Sequence, residues 1–239
     1  MAENKNVAII LSGGSGNRFK HNIPKQFAEV SGKTILGYCI KNFNAHKNID
    51  KILIVSNPDY IDLTHKIVES DRFIKVIDII NGGKTRGESS YSGLKYLKAK
   101  YNSTDVNVLI QDAVRPNTNE NIINNVIEKL KESRAVSVVV PATDTIYITD
   151  KNYRLVSIPD RDSLFLAQTP QAFNLELILS AYEKTDKSKR FSFTDDCSVL
   201  KQIYPNEKIN LVTGDVTNLK ITFNKDLETF RQLLQDKTN

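Results

Sequence analysis

Four charged side chains stand where the chain could handle phosphate. Arg18 and Lys25 follow a glycine-rich turn, Ser12-Gly13-Gly14-Ser15-Gly16. Asp112 comes just after an apolar run, and Lys220 sits between Leu219 and Ile221. The turn comes directly after Val7-Ala8-Ile9-Ile10-Leu11, a run short and apolar enough for a buried first strand. Three positions without side chains let the backbone come close to another molecule, and exposed backbone N–H groups bind anions. Arg and Lys add the charge that a polyphosphate needs, with Lys25 fixed behind Pro24. The chemistry this implies is a cradle for a nucleoside triphosphate. It is not a Walker A loop, because no Gly-Lys-Ser/Thr follows. It is not a dinucleotide fingerprint either, because Phe19 stands where the third glycine belongs.

Most of the other candidates have two readings. Asp112, in Gln111-Asp112-Ala113-Val114-Arg115-Pro116, either ligates magnesium or is a structural cap. Magnesium takes one or two carboxylates and completes its shell with phosphate oxygens. Ser89, after Gly82-Gly83-Lys84-Thr85-Arg86, either caps a helix or faces a ligand. Lys220, on an alternating strand, points opposite to Leu219 and Ile221, toward solvent or toward a ligand. Arg161, in Pro159-Asp160-Arg161, reads on its own as a surface ion pair.

Elements that would position these groups follow from hydrophobic spacing. Strands are expected near 7–11, 51–56, 74–80, 106–110, 135–141 and 208–212. Helices are expected over 34–43, 59–70, 91–100, 119–131, 174–185 and 226–234. A further helix opens after 193, with Thr194 as its N-cap and Asp195-Asp196 in its first turn. Strands alternating with helices imply an α/β fold with a parallel sheet, whose ligands sit at the carboxyl ends of the strands. Two β-rich runs within 142–160, joined by Asp150-Lys151-Asn152, break the alternation and read as a hairpin that projects as an arm.

Composition sets bounds. A chain of 239 residues fits one domain over 1–239. The net charge of +5 suits an anionic substrate, and the cations are scattered rather than clustered, so no nucleic-acid partner is expected. Cys39 and Cys197 form no CxxC or Cys/His cluster, which argues against zinc and fits a reducing compartment. No run approaches a membrane span and the start lacks a signal-peptide core, so a cytoplasmic protein without a membrane partner is expected. A glycosyltransferase would normally show Asp-x-Asp at a strand end, and Asp112 stands alone.

Taken together, the cradle with Pro24-Lys25-Gln26 behind it, Gly82-Gly83 with Arg86, Asp112-Ala113-Val114-Arg115-Pro116, Asp144-Thr145-Ile146, Gln168-Thr169-Pro170-Gln171 and Asn218-Leu219-Lys220-Ile221-Thr222 run along essentially the whole chain. This set resembles the polyol-phosphate cytidylyltransferases, the family that includes the methylerythritol 4-phosphate and ribitol 5-phosphate enzymes. Gln111 departs from the family's histidine at that place. The resemblance implies a Rossmann-like nucleotidyltransferase fold, CTP and a polyol phosphate as substrates, Mg²⁺ as cofactor, and a homodimer joined through the 142–160 arm. It implies Arg18, Lys25 and Lys220 as catalytic cations. Leu11, Ser12, Gly13, Gly14, Gly16, Gly83, Ser89 and Asp112 fall on the nucleotide side, with Asp112 also the metal ligand and Arg86 an organiser of its segment. Arg115, Thr145, Arg161, Thr169 and Thr194 fall on the acceptor side. Val114, Ile158-Pro159-x-Arg161 and Asp196-Cys197-Ser198 resemble the ribitol enzymes, whereas Ser92-Gly93-Leu94 and Ala167-Gln168 look closer to the methylerythritol type.

Overall fold

The computed structural model describes residues 4–14, 23–101, 103–186 and 190–236. In chain order its strands are β1 (Lys5–Ser12), β2 (Glu29–Val30), β3 (Lys33–Thr34), β4 (Lys51–Ser56), β5 (Val76–Asn81), β6 (Val106–Asp112), β7 (Ala135–Pro141), β8 (Ile148–Thr149), β9 (Leu155–Ser157), β10 (Phe165–Asn174) and β11 (Asn210–Thr213). Its α-helices are α1 (Ile35–Ala45), α2 (Ile61–Ser70), α3 (Arg86–Lys100), α4 (Glu120–Leu130), α5 (Leu175–Lys184), α6 (Asp196–Ile203) and α7 (Asn224–Asp236).

Seven strands make one sheet in the order β11-β7-β10-β6-β1-β4-β5. Among the described residues, only β10 runs antiparallel in it, between β6 and β7. Side chains alternate across the sheet with period two. Ala8, Ile10, Ile52, Ile54 and Leu109 face α1 and α4, whose Leu36, Ile40, Phe43, Ile123 and Val126 cover them. Val7, Ile9, Leu53, Val55 and Val108 face the other way, onto Leu94, Leu97, Ile178 and Leu200 of α3, α5 and α6. Both faces are covered, so the strands read in sequence as continuous apolar runs rather than alternating ones. Gly93 lets α3 approach this sheet, since a Cβ there would stand 3.0 Å from Ile9 Cγ2 and 3.2 Å from Val55 Cγ2. Thr34, Asn119 and Asn174 cap α1, α4 and α5 through their side-chain oxygens.

Three local expectations are corrected. The helix expected over 91–100 begins at Arg86, and its N-cap is Thr85, which accepts from Glu88 N. Ser89 therefore lies inside the first turn and is not the cap. The cap of α6 is Asp195, which accepts from Ser198 N, rather than Thr194. An acidic side chain one residue on, whose carboxylate reaches Ser198 N, takes that role. Lys220 is not on a strand, because 214–223 is a loop. Leu219 and Ile221 pack toward Phe230 and Leu227 of α7, and this packing produces the alternation that mimics a strand.

The hairpin is present as the β8–β9 pair, turning where Asp150 Oδ1 accepts from the N–H groups of Asn152 and Arg154. Its apolar residues, Tyr147, Ile148, Tyr153, Leu155, Val156 and Ile158, are exposed. No helix among the described residues is long and apolar enough to cross a membrane.

Candidate active site

β1, β4, β5 and β6 end on one side of the sheet, and the strand order reverses at β1. A cleft of about 790 Å³ opens there. Leu11, Ser12, Gly13 and Gly14 line it from the end of β1, with Lys25, Gln26, Asn57 and Pro58 beside them. Gly82, Gly83, Lys84, Thr85, Arg86, Glu88 and Ser89 line it after β5, and Asp112, Val114 and Lys220 close it.

The glycine turn is held open by hydrogen bonds from below. Gln26 Nε2 donates to Ser12 O at 2.9 Å and to Gly14 O at 2.7 Å. The carbonyls are thereby spent on Gln26. Ser89 Oγ accepts from Gly83 N and donates to Thr85 O, each at 3.1 Å. A Cβ on Gly13 would sit 2.9 Å from that hydroxyl, and one on Gly83 would sit 2.2 Å from Glu88 Cβ. Glycine is required at both places by close approach.

Charge is concentrated on Asp112. Its Oδ1 accepts from Arg86 Nε at 3.0 Å and its Oδ2 from Lys220 Nζ at 2.7 Å. Burial pushes this carboxyl up, but Arg86 and Lys220 outweigh burial and hold it well below the usual carboxylate range. Arg86 also donates through Nη1 to buried Asp196 at 2.7 Å. Burial works against the Arg86 charge, and Asp196 and then Asp112 more than restore it. No group of three or more His, Cys, Asp and Glu that could hold a metal occurs among the described residues. A buried carboxylate at the end of β6, in a cleft lined by Lys25, Lys84 and Lys220, nevertheless suits magnesium, which takes few protein ligands and fills its shell with phosphate and water. Asp112 would have to share its oxygens with that ion, and half-exposed Lys220 is the partner better able to turn away.

The structure does not bring the acceptor-side residues into the lining. Arg115 is buried and clips two carbonyls, Asn218 O at 2.7 Å and Ala167 O at 3.2 Å. Burial pulls its guanidinium below the usual arginine range. Thr169 is buried and accepts from Asp112 N at 3.2 Å. Thr145 and Thr194 are exposed. Arg161, also exposed, donates to Thr143 O at 3.5 Å. Gly16 and Arg18 lie outside the described residues.

Sequence reasoning passed over Gln26, Asp196 and Asn218. Gln26 and Asn218 stood inside the quoted motifs, next to the cations that drew attention. Asp196 was read as decoration of a helix start. Its pairing with Arg86, 110 residues earlier, leaves no local trace.

A doubly covered, mostly parallel sheet with a glycine turn, a group of lysines and Asp112 at its switch point defines a nucleotidyltransferase-type α/β enzyme. A family model described as IspD, 2-C-methyl-D-erythritol 4-phosphate cytidylyltransferase, matches residues 6–236. The chain belongs to that family and is a CTP-dependent cytidylyltransferase. It is 38% identical over 240 residues to a bifunctional ribulose 5-phosphate reductase/CDP-ribitol pyrophosphorylase from Haemophilus influenzae. That match takes in 100% of this chain and 50% of the relative, so the chain spans half of the relative's length. It is 35% identical over 223 residues to a 2-C-methyl-D-erythritol 4-phosphate cytidylyltransferase from Lachnospira eligens, covering 93% of this chain and 96% of that one. Among solved structures it is similar to the 4-diphosphocytidyl-2C-methyl-D-erythritol synthase of Anaerococcus prevotii, with a TM-score of 0.83, 30% identity and coverage of 97% and 96%.

Proposed function

We propose that this cytidylyltransferase joins CTP to a polyol phosphate, D-ribitol 5-phosphate, giving the CDP-polyol and pyrophosphate. The observation that carries the chemistry is the cleft beyond β1, which Lys25 lines together with the Lys220–Asp112 pair. An acceptor phosphate oxygen attacks the α-phosphorus of CTP in line, and the bond to the bridging oxygen breaks as pyrophosphate leaves. The nucleophile is already anionic and needs no general base, so catalysis is positioning and charge neutralisation. Lys25, Lys220 and Arg18 offset charge on the α-phosphoryl group and the leaving phosphates. Gly13, Gly14 and Gly16 let backbone donors approach the triphosphate, and Gly83 and Ser89 shape the nucleoside end. Asp112 would hold Mg²⁺, which when bound neutralises phosphate charge.

The ribitol reading is supported by the motifs around Val114, Arg161 and Asp196 and by the 38% identical relative that carries a CDP-ribitol pyrophosphorylase. The second reading, 2-C-methyl-D-erythritol 4-phosphate, is supported by the family model and by relatives such as the one from Lachnospira eligens. Pyrophosphate release with CTP and Mg²⁺ tests both acceptors in parallel. Faster release with ribitol 5-phosphate is expected. Turnover with methylerythritol 4-phosphate alone overturns the acceptor, and release with neither overturns the polyol reading.

Residues 1–239 are proposed to act as one domain whose arm, 142–160, joins two copies. The support is the exposed apolar surface of the hairpin, continued by half-exposed Phe165 and Leu166 on β10. In such a dimer Thr145 and Arg161 would reach the acceptor phosphate beside Arg115, Thr169 and Thr194. The double variant Ile148→Asp, Val156→Asp is expected to elute at the mass of one chain in light scattering, where the unmodified protein elutes at two. Acceptor KM should rise with it. A variant that stays at two-chain mass refutes the arm as the joint.

A further inference from the structure

We propose that Asp196, buried behind the cleft and outside its lining, is a positioning residue that sets Asp112 through the guanidinium of Arg86. Asp196 is fully buried at the first turn of α6. Its Oδ1 accepts from Tyr182 Oη at 2.7 Å and its Oδ2 from Arg86 Nη1 at 2.7 Å. Arg86 then donates through Nε to Asp112, whose other oxygen takes Lys220. Charges alternate along this row from the interior to the cleft: Asp196, Arg86, Asp112, Lys220.

The geometry needs an arginine. A planar fork can engage one carboxylate at Nη1 and another at Nε, and an ammonium on a flexible stem cannot hold both in fixed directions. The inner end of the row is itself fastened. Gln171 Oε1 accepts from Asp196 N at 3.0 Å and Cys197 N at 3.3 Å, while Gln171 Nε2 donates to Asp195 Oδ2 at 2.7 Å. Tyr182 stacks on Tyr91 of α3, so the phenol that meets Asp196 is held by the helix that carries Arg86. Burying a charged pair is a poor way to gain stability, since apolar residues of the same volume often do as well. What Asp196 adds is direction. With one carboxylate fixed behind it, the guanidinium can present Nε to Asp112 in one orientation only.

The consequence separates charge from geometry. Asp196→Asn keeps the shape and removes one negative charge from behind the cleft. The site then attracts an anion more strongly, while Arg86 keeps only a neutral amide acceptor behind it and its hold on Asp112 weakens. Metal-free CTP should bind a few-fold tighter, and kcat should fall by about tenfold or more, as for other residues that orient a group in the site. Tyr182→Phe changes no charge. Its kcat should fall by a smaller factor, with CTP affinity unchanged. A purely structural role predicts something else: weaker CTP binding, lower kcat and a lower melting temperature moving together.

The inference rests on the reading of Asp112 as a phosphate-side group, so Asp112→Asn is measured beside the other two. Steady-state pyrophosphate release, calorimetric CTP titration without metal, and thermal melting are run on all three variants and the unmodified enzyme. Loss of turnover in Asp112→Asn together with the split in Asp196→Asn supports the relay. Loss in Asp112→Asn with kcat of Asp196→Asn kept within about twofold overturns the relay and leaves the site reading intact. Normal turnover in Asp112→Asn overturns both. If Asp196→Asn does not fold, Tyr182→Phe decides, and an unchanged kcat in it refutes the relay.

Discussion

Lys220→Ala is expected to fold normally and to lose turnover by on the order of 10²–10³, the usual loss when one preorganised donor to transition-state charge is removed. The two halves of this result have separate causes. Lys220 lies in the 214–223 loop with its side chain 42% exposed, and its ion pair with Asp112 is partly screened by water. A pair whose lysine end is open to water contributes about 1 kcal/mol. Asp112 also keeps Arg86, so no buried charge is stranded by the substitution. Stability should barely move. In the proposed mechanism the α-phosphoryl group gains negative charge as the acceptor attacks, and Lys220 lines the cleft assigned to it. Its contribution is therefore larger in the transition state than in the ground state, and kcat should fall more than KM rises. Lys220→Arg should recover part of the rate. Pyrophosphate release and a thermal melt on the same preparation check both halves, and near-normal turnover in Lys220→Ala would remove it from the mechanism.

The sheet was legible in the sequence because the central strands are buried on both faces and appear as apolar runs, unbroken in Val7-Ala8-Ile9-Ile10-Leu11 and interrupted only by Asn107 in Val106-Asn107-Val108-Leu109-Ile110. The cradle was legible because glycine spacing is local. Helix starts were less so. Thr85 and Ser89 both offer a cap, as do Thr194 and Asp195, and the sequence does not rank them. The winners are the ones whose third following residue has its N–H in reach, Glu88 and Ser198. The setting of Lys220 was misread for a physical reason. Leu219 and Ile221 satisfy the alternation test, yet their partners are on α7, not on a neighbouring strand. The row from Asp196 to Lys220 joins residues about a hundred positions apart, and nothing in local spacing signals it.

Asn218→Ala is expected to be the most damaging single change to the loop that carries Lys220. Asn218 is fully buried. Its Nδ2 donates to Gln168 Oε1 at 3.1 Å and Thr169 O at 3.0 Å, and its Oδ1 accepts from Thr118 Oγ1 at 3.1 Å. Its backbone carbonyl takes Arg115 Nη1 at 2.7 Å. One side chain thus ties the loop to β10 and to the segment after β6, two residues before Lys220. Alanine leaves the Gln168 and Thr169 oxygens without their donor and adds a small void. Each buried polar group left unmade costs about 1–3 kcal/mol, so a loss on the order of 3 kcal/mol is expected. For a chain of this size that is a drop of roughly 6–12 °C in the melting temperature. Turnover should fall as well, because Lys220 and Asp112 are then joined to a loop that no longer has one position. Asn218→Asp makes the cause explicit. It keeps the volume and the acceptor facing Thr118, but cannot donate to Gln168 or Thr169 and turns an acceptor oxygen toward them, so it should lose at least as much stability as alanine. If Asn218→Asp instead melts like the unmodified protein, the two donated bonds are not what holds the loop. Its anchor would then be the bonds that remain, among them the Arg115 clip, Asn117 Nδ2 to Thr217 O and Ile221 N to Val114 O, with the Ile221 packing against α7.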